Sequence, residues 1–517
     1  MAIQQDRTVK AITPMKSTEI PISSPTSDGR HSPSDLEKAT SIEAPVHVQT
    51  SPVVSDWNGP DDVDNPMNWG ALKKAYHTAA TAFLGFAVTA GSSLITPATP
   101  EIQRYFDVSQ TASILSLSLF VLGLGLGPAL AAPISEQFGR SVVYKLSGPL
   151  YLLFILGSVF SKSFGGLLVC RLLAGMSGGP VLAVGAGTNA DLYPPVFRAV
   201  ATTMFVMMPF LGPALGPVIG GFVAQYKGWQ WTQWTTIFIG LLAVLSTLPM
   251  QETYKKVILK QRAKRSGLQP PPGSTPSGLA FAKILVTVTL VRPVHMLCTE
   301  PITFMLSLYT AFTFSVLFSF FAAYPYVFKG IYGFETWQYG LTFLAIGLGV
   351  LLAVMTAIVI DRTYYVSHHK KALAAGRTMV APEYRLLSAQ MGCFGVSIGL
   401  FWFSWTARLS VHWIVPVLAG IPFAWGNLCI FVSAALYLMD TYGPLIGASA
   451  MAANGLARYS LGAAFPLFTF QMLERLGVAW SISLLGFLSL AMLPIPWIFF
   501  KYGPSIRARS RYDTFKE

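Results

Sequence analysis

The sequence predicts an all-α membrane protein of twelve transmembrane helices in two six-helix bundles, and three observations carry that prediction. Of 517 residues, 53% are hydrophobic and only 11% are charged, against about 25% charged in an average soluble domain, which argues against a water-soluble globular enzyme. Apolar stretches of roughly twenty residues, each long enough to cross a hydrocarbon core of ~30 Å, recur twelve times. They fall six and six around one polar, basic stretch.

Residues 1–74 contain Ser, Thr, Pro and charge but no apolar run, as in Ser23, Ser24, Pro25, Thr26 and Ser27; a disordered tail is expected, with no cleaved signal before the first span. Apolar stretches then occupy 75–98, 111–133, 143–160, 165–188, 199–225 and 231–250, an N-terminal bundle over 75–250. The interval 251–299 reads as a central loop, since it holds Lys255, Lys256, Lys260, Arg262, Lys264 and Arg265 and a turn-rich run from Gln269 to Gly278. A second set at 300–324, 338–360, 386–406, 411–438, 444–471 and 477–500 forms a C-terminal bundle over 300–500. A basic C-terminus, 501–517, follows with Lys501, Arg507, Arg509 and Arg511. The loops on the side of the termini hold most of the Lys and Arg, which places both termini and the central loop in the cytoplasm. The formal charge of +13 is thereby a topology signal, and no nucleic-acid partner is expected.

The fifth span carries the most informative pattern. Gly212, Gly216 and Gly220 recur every four residues and lie on one helix stripe, with Gly221 beside them. Pro209, Pro213 and Pro217 follow the same interval and remove three backbone donors, which loosens the helix. A bendable helix at a rocking interface is one reading; a static small-residue seam is the other. An echo links the halves: Glu136, Gly139 and Arg140 follow span 2, and Asp361 and Arg362 follow span 8. Ionisable residues inside spans each need a partner or a watery cavity. Arg171 lies in span 4, and Asp191 lies twenty positions on, about 30 Å away along a helix. In span 11, Asn454 precedes Arg458 by one turn and shares its face, which is expected to line the cavity. There Arg458 could bind an anionic group or pair with a carboxylate. Glu300 before Pro301 suits a helix N-terminus, and His295 reads as interfacial. Phe86, Met207, Tyr309 and Asn427 belong to spans rich in aromatic and soft side chains, a lining that tolerates varied amphipathic molecules.

These motifs resemble a known family. Gly216, Pro217, Gly220 and Gly221 match the Gly-Pro-x-x-Gly-Gly core of the drug:proton antiporters of the major facilitator superfamily. Asp56, Trp57, Asp61, Asp62, Asn65, Pro66, Asn68 and Trp69, then Pro382, Glu383, Arg385 and Leu386, then Asn454, Arg458, Phe465, Pro466, Leu467 and Phe468, resemble its fungal twelve-span branch of multidrug, mycotoxin and polyamine exporters. The likeness covers about 56 to 510. It implies the major facilitator fold and an antiporter of the plasma membrane. It further implies that Arg171 and Asp191 are the proton-coupling candidates, and that the loop of Glu136, Gly139 and Arg140, with Asp361 and Arg362 in the second half, latches the bundles; read from the residues alone, such a loop could equally be a topology marker. The loop departs from the family pattern at Ala132, Glu136, Gln137 and Ser141.

The function expected is proton-coupled efflux of a toxin, drug or secondary metabolite by alternating access. Two alternatives stay open: export of a polyamine or other organic cation, which the scarcity of carboxylates in the spans disfavours, and a membrane sensor that binds without transporting. No P-loop, HExxH or GxSxG pattern points to an enzyme. The four cysteines, Cys170, Cys298, Cys393 and Cys429, show no metal-ligand spacing, so neither metal nor cofactor is expected. The expected partners are a small-molecule substrate, protons and the lipid bilayer, with the chain a monomer.

Overall fold

Every apolar stretch forms a helix in the computed structural model, which describes residues 56–268, 287, 291–376 and 380–515. The tail up to residue 55 and the run from Gln269 to Gly278 lie outside the described residues. The first six passes are Ala71–Ser93, Gln110–Phe138, Arg140–Val159, Phe164–Gly178 continued by Pro180–Leu192, Pro195–Lys227 and Trp229–Thr247. The second six begin with Pro301–Tyr324, Leu344–Ile360 preceded by Thr336–Thr342, and Leu387–Thr406. They end with Ile414–Gly443 and with 446–476 and 478–507, which share one helical stretch, Ile446–Arg507. Ten segments of the described chain are both long and apolar enough to cross a membrane. Gly477 divides the last of these into two passes, and Trp229–Thr247 completes the twelve.

The boundaries have local causes. Ser109 and Ser163 accept hydrogen bonds from the backbone N–H of Ala112 and Gly166, capping the second and fourth spans. Proline opens several helices where its missing N–H costs nothing, as at Pro180, Pro195 and Pro301. Gly228 (φ 90°) and Gly477 (φ 72°) make the sharp corners between spans 5 and 6 and between spans 11 and 12, and only glycine adopts that backbone without strain.

The outer surface is apolar and the interior is mixed. Leu153, Leu242, Leu352, Met355 and Phe487 are exposed, whereas Ser92, Ser93, Thr310, Ser315 and Asn454 are buried. Lipid is as apolar as leucine, so polar side chains turn inward to find partners while leucines face outward. With an even number of passes, both described ends of the chain lie on one face, here called the terminal face. There Arg262, in the helix Lys255–Arg265, forms ion pairs with Asp62 at 2.8 Å and Asp64 at 2.6 Å, and Lys255 pairs with Asp56. Thus residues 56–70, within the expected tail, clasp the start of the central loop. The Arg262 guanidinium and the Asn58 N–H hold the Asp62 carboxyl well below the usual carboxylate range. The C-terminal end is also tied down: Arg507 forks onto Glu383 at 3.0 and 3.2 Å, and Phe515 N–H donates to the Thr441 carbonyl. Glu300 stands at the start of the seventh span but does not cap it; its carboxylate accepts from Tyr442, Ser510 and the Arg511 N–H instead. Those tertiary donors take the place of a local cap.

Candidate functional site

Arg171 is wholly buried and ties four spans of its bundle together. Its guanidinium donates to the carbonyls of Gly91 (2.8 Å), Ser92 (3.1 Å) and Ser116 (2.9 Å), reaches Gln233 Oε1 at 3.5 Å and lies over the Phe120 ring. Gly91 and Ser92 belong to the last turn of the first helix, where carbonyls lack intrahelical donors and the dipole end favours a cation. Every partner is neutral. Asp191 is far from this point, on the terminal face.

A cavity lies between the bundles at mid-depth. Thr89 and Ser92 of the first span and Pro209, Phe210 and Pro213 of the fifth wall one side; Phe314, Phe318, Arg458 and Tyr459 wall the other. It is narrow, and its lining is mostly apolar. Arg458 is the one charged residue among its described lining residues. Asn454, one turn away, donates to Thr310 at 2.7 Å. Of the other expected lining residues, Tyr309 and Asn427 are buried in the C-terminal bundle, Phe86 stacks on Phe83, and Met207 packs half-buried on the core.

The fifth span presents two different edges. On one, Gly212, Gly216 and Gly220 lie against Thr89, Ser93 and Leu94 of the first span so closely that a Cβ on any of them would collide. On the other, Pro209 and Pro213 face the cavity. The glycine stripe therefore packs within its own bundle; the contact with the other bundle is made by Pro217 and Gly221 against Gly340, Thr336 and Trp337. Further contacts between bundles on the face away from the termini join Gln471 to Thr111 (2.6 Å) and the Thr336 N–H to Gln225.

On the terminal face each bundle has its own ion cluster. Arg140 pairs with Asp191 at 3.3 Å, accepts support from the Tyr254 ring and donates to Ser135. Glu252 receives the backbone N–H groups of Arg140, Ser141, Thr253 and Tyr254, which caps the third span. Gly139 (φ 100°) leaves room for that carboxylate, since a Cβ there would strike it. In the other bundle Arg385 pairs with Asp440 at 2.7 Å and Asp361 at 3.0 Å, over the Tyr365 ring. Arg140 and Arg385 begin the third and ninth passes, and Asp191 and Asp440 end the fourth and tenth. The repeat between halves thus runs through these pairs rather than through adjacent residues. Glu136 is exposed, and Arg362 lies over Phe197 of the opposite bundle at 5.1 Å.

The family model "Major Facilitator Superfamily" matches residues 81–466. This chain belongs to the Major Facilitator Superfamily. It is 39% identical over 481 residues to "Polyamine transporter 4" of Saccharomyces cerevisiae, covering 88% of this chain and 73% of that one. It is 33% identical to "Efflux pump radE" of Floropilus chiversii, covering 92% of this chain and 89% of the relative. The structure of the proton:xylose symporter XylE bound to 6-bromo-6-deoxy-D-glucose superposes with a TM-score of 0.60 at 18% identity, covering 84% of this chain and 97% of that chain; at that identity it shows the shared fold. The superfamily and these relatives are membrane transporters, not enzymes, and so is this protein.

Within this superfamily member, sequence reasoning passed over Glu252, Thr253 and Asp440. Glu252 lies in a stretch whose basic residues made it read as a solvated linker; a carboxylate placed immediately after a span was the available signal. Phe431, which contacts Arg458, had none, because an aromatic residue in an apolar span does not reveal its neighbours.

Proposed function

We propose that this transporter exports a moderately hydrophobic toxin, drug or secondary metabolite across the plasma membrane in exchange for protons. The observation that carries this reading is the cavity shared by both bundles, walled by aromatic rings and by Pro209 and Pro213 of a helix whose backbone bonding is interrupted three times. The Lys and Arg excess on the terminal face supports a cytoplasmic orientation for that face. Contacts across the opposite face would open, and Arg362 and Phe197 would approach or part, as the cavity changes sides. Asp191 is the proposed proton-exchanging carboxylate. Its proton would cancel the attraction to Arg140, loosening the link between the third and fourth spans; its loss would restore the pair.

The test uses the purified chain in inside-out-oriented proteoliposomes. An imposed proton gradient is expected to drive uptake of a hydrophobic dye, and Asp191→Asn to abolish the gradient dependence while leaving the protein monodisperse. Unaltered gradient dependence in that variant would remove Asp191 from the mechanism. Polyamine export is the second reading, favoured by the 39% identity to a polyamine transporter. No carboxylate stands among the described lining residues to receive a polycation. Gradient-driven spermidine uptake in the same vesicles would reverse that ranking.

A further inference from the structure

Four arginines are buried among the described residues: Arg171, Arg385, Arg458 and Arg507. Three of them have oxygen acceptors. Arg171 reaches three carbonyls, Arg385 two aspartates, and Arg507 a forked pair of oxygens on Glu383. Arg458, 9% exposed, has none among the described residues: it makes no hydrogen bond or ion pair there, and its Nε is buried without a partner. What surrounds it is aromatic. The guanidinium carbon lies 4.8, 4.6 and 4.4 Å from the ring centroids of Phe314, Phe431 and Tyr459.

Ring faces attract a cation, but they do not satisfy a planar fork of five N–H donors. A charge taken out of water without an anion is costly, and a bound ligand that supplies the anion recovers the most free energy at such a point. The fork matches a carboxylate in size and direction, and charge-assisted bonds of that kind are stronger than neutral ones. Rings on either side of the fork offer apolar surface for the remainder of the molecule. Asn454, on the same helix face, keeps a buried Oδ1 without a partner, an acceptor suited to a hydroxyl near the anionic group.

We infer that the space around Arg458, Phe314, Phe431 and Tyr459 is a binding site for aromatic organic anions, a planar ring system bearing an ionised carboxylate or enolate. The inference rests on the transport reading for how a ligand reaches the cavity, and it deepens that reading by naming the substrate class. A polycation would meet the like charge of Arg458 in a low-dielectric pocket and be disfavoured.

The experiment measures equilibrium binding of three probes to the full chain in lipid nanodiscs: 2-naphthylacetate, its neutral amide, and 2-(2-naphthyl)ethylammonium. The acid is expected to bind about tenfold or more tightly than the amide, the gain of a charge-assisted hydrogen-bond pair, and the cation more weakly than either. Arg458→Met is expected to bring acid and amide within about twofold of each other. Arg458→Lys, which keeps the charge but not the fork, should retain part of the preference and serves if the Met variant does not fold. Acid and amide binding alike in the wild type, or a preference that survives Arg458→Met, overturns the inference. The vesicle assay separates the two proposals. Acid-selective binding without gradient-driven flux keeps the site and rejects the antiporter; flux of neutral dyes without acid selectivity does the reverse.

Discussion

Arg171 and Arg458 are buried in helices of opposite bundles, and they differ in what receives their donors. Arg171 spends its fork on three carbonyls of two neighbouring spans, two of them at a helix end that would otherwise lack donors. Arg458 faces three rings and a cavity. The first arrangement fixes helices relative to one another; the second leaves a charge available. A buried cation inside a membrane bundle is thus structural or ligand-seeking according to its acceptors, not according to its depth.

The largest effect that would break this comparison is expected at Arg171. Arg171→Met leaves the Gly91 and Ser92 carbonyls at the end of the first helix buried without their donor, each at a cost of about 1–3 kcal/mol, and removes the added bond to Ser116, whose carbonyl keeps its helical donor. Loss of monodisperse protein, or a marked fall in the thermal unfolding temperature in detergent, is the expected readout; a variant as stable as the wild type would show that Arg171 does not hold the bundle. At Arg458 the opposite is expected. Replacing a poorly compensated charge by an apolar side chain of similar length is often neutral or stabilising, so Arg458→Met should unfold at the same temperature as the wild type or above it. A destabilised Arg458→Met would mean that the three ring contacts are a structural tie like that of Arg171.

The smallest effect sharpens the contrast with an arginine outside the bundle. Arg262 is paired with carboxylates on the terminal face, and the Asp62 carboxyl is held below its ordinary pKa, first by Arg262 and then by the Asn58 N–H. A depressed folded-state pKa contributes stability that is present above the unfolded value and lost as pH falls through the folded one. The clasp of residues 56–70 on the helix Lys255–Arg265 should therefore hold at neutral pH and release only in strong acid. Asp62→Asn should raise protease sensitivity near Trp57 at neutral pH, with an effect of about 1 kcal/mol or less on this part-exposed pair.

Much of this was legible from residue order alone. Twelve spans follow from apolar length, because a helix in lipid must satisfy its own backbone over about twenty residues whatever surrounds it. The four-residue spacing of Gly212, Gly216 and Gly220 announced a close helix contact, yet spacing names a face and not the neighbour on it; the neighbour proved to be the first span of the same bundle. The repeat between halves was visible as a carboxylate beside a base at Asp361 and Arg362, but it runs through Arg140 with Asp191 and Arg385 with Asp440. Those partners are separated by about two spans of chain, and only helix packing brings them together.

Sequence by itself determined that the chain crosses a membrane many times, that three prolines interrupt the backbone bonding of its fifth helix, and that a few charges lie where charges are expensive. Tertiary structure alone decided which of those charges are satisfied. Periodicity and length are local and survive in one dimension, whereas the acceptor that meets a guanidinium is set by helices 55 to 80 residues away in the chain, as at Ser116, Gly91 and Ser92 around Arg171.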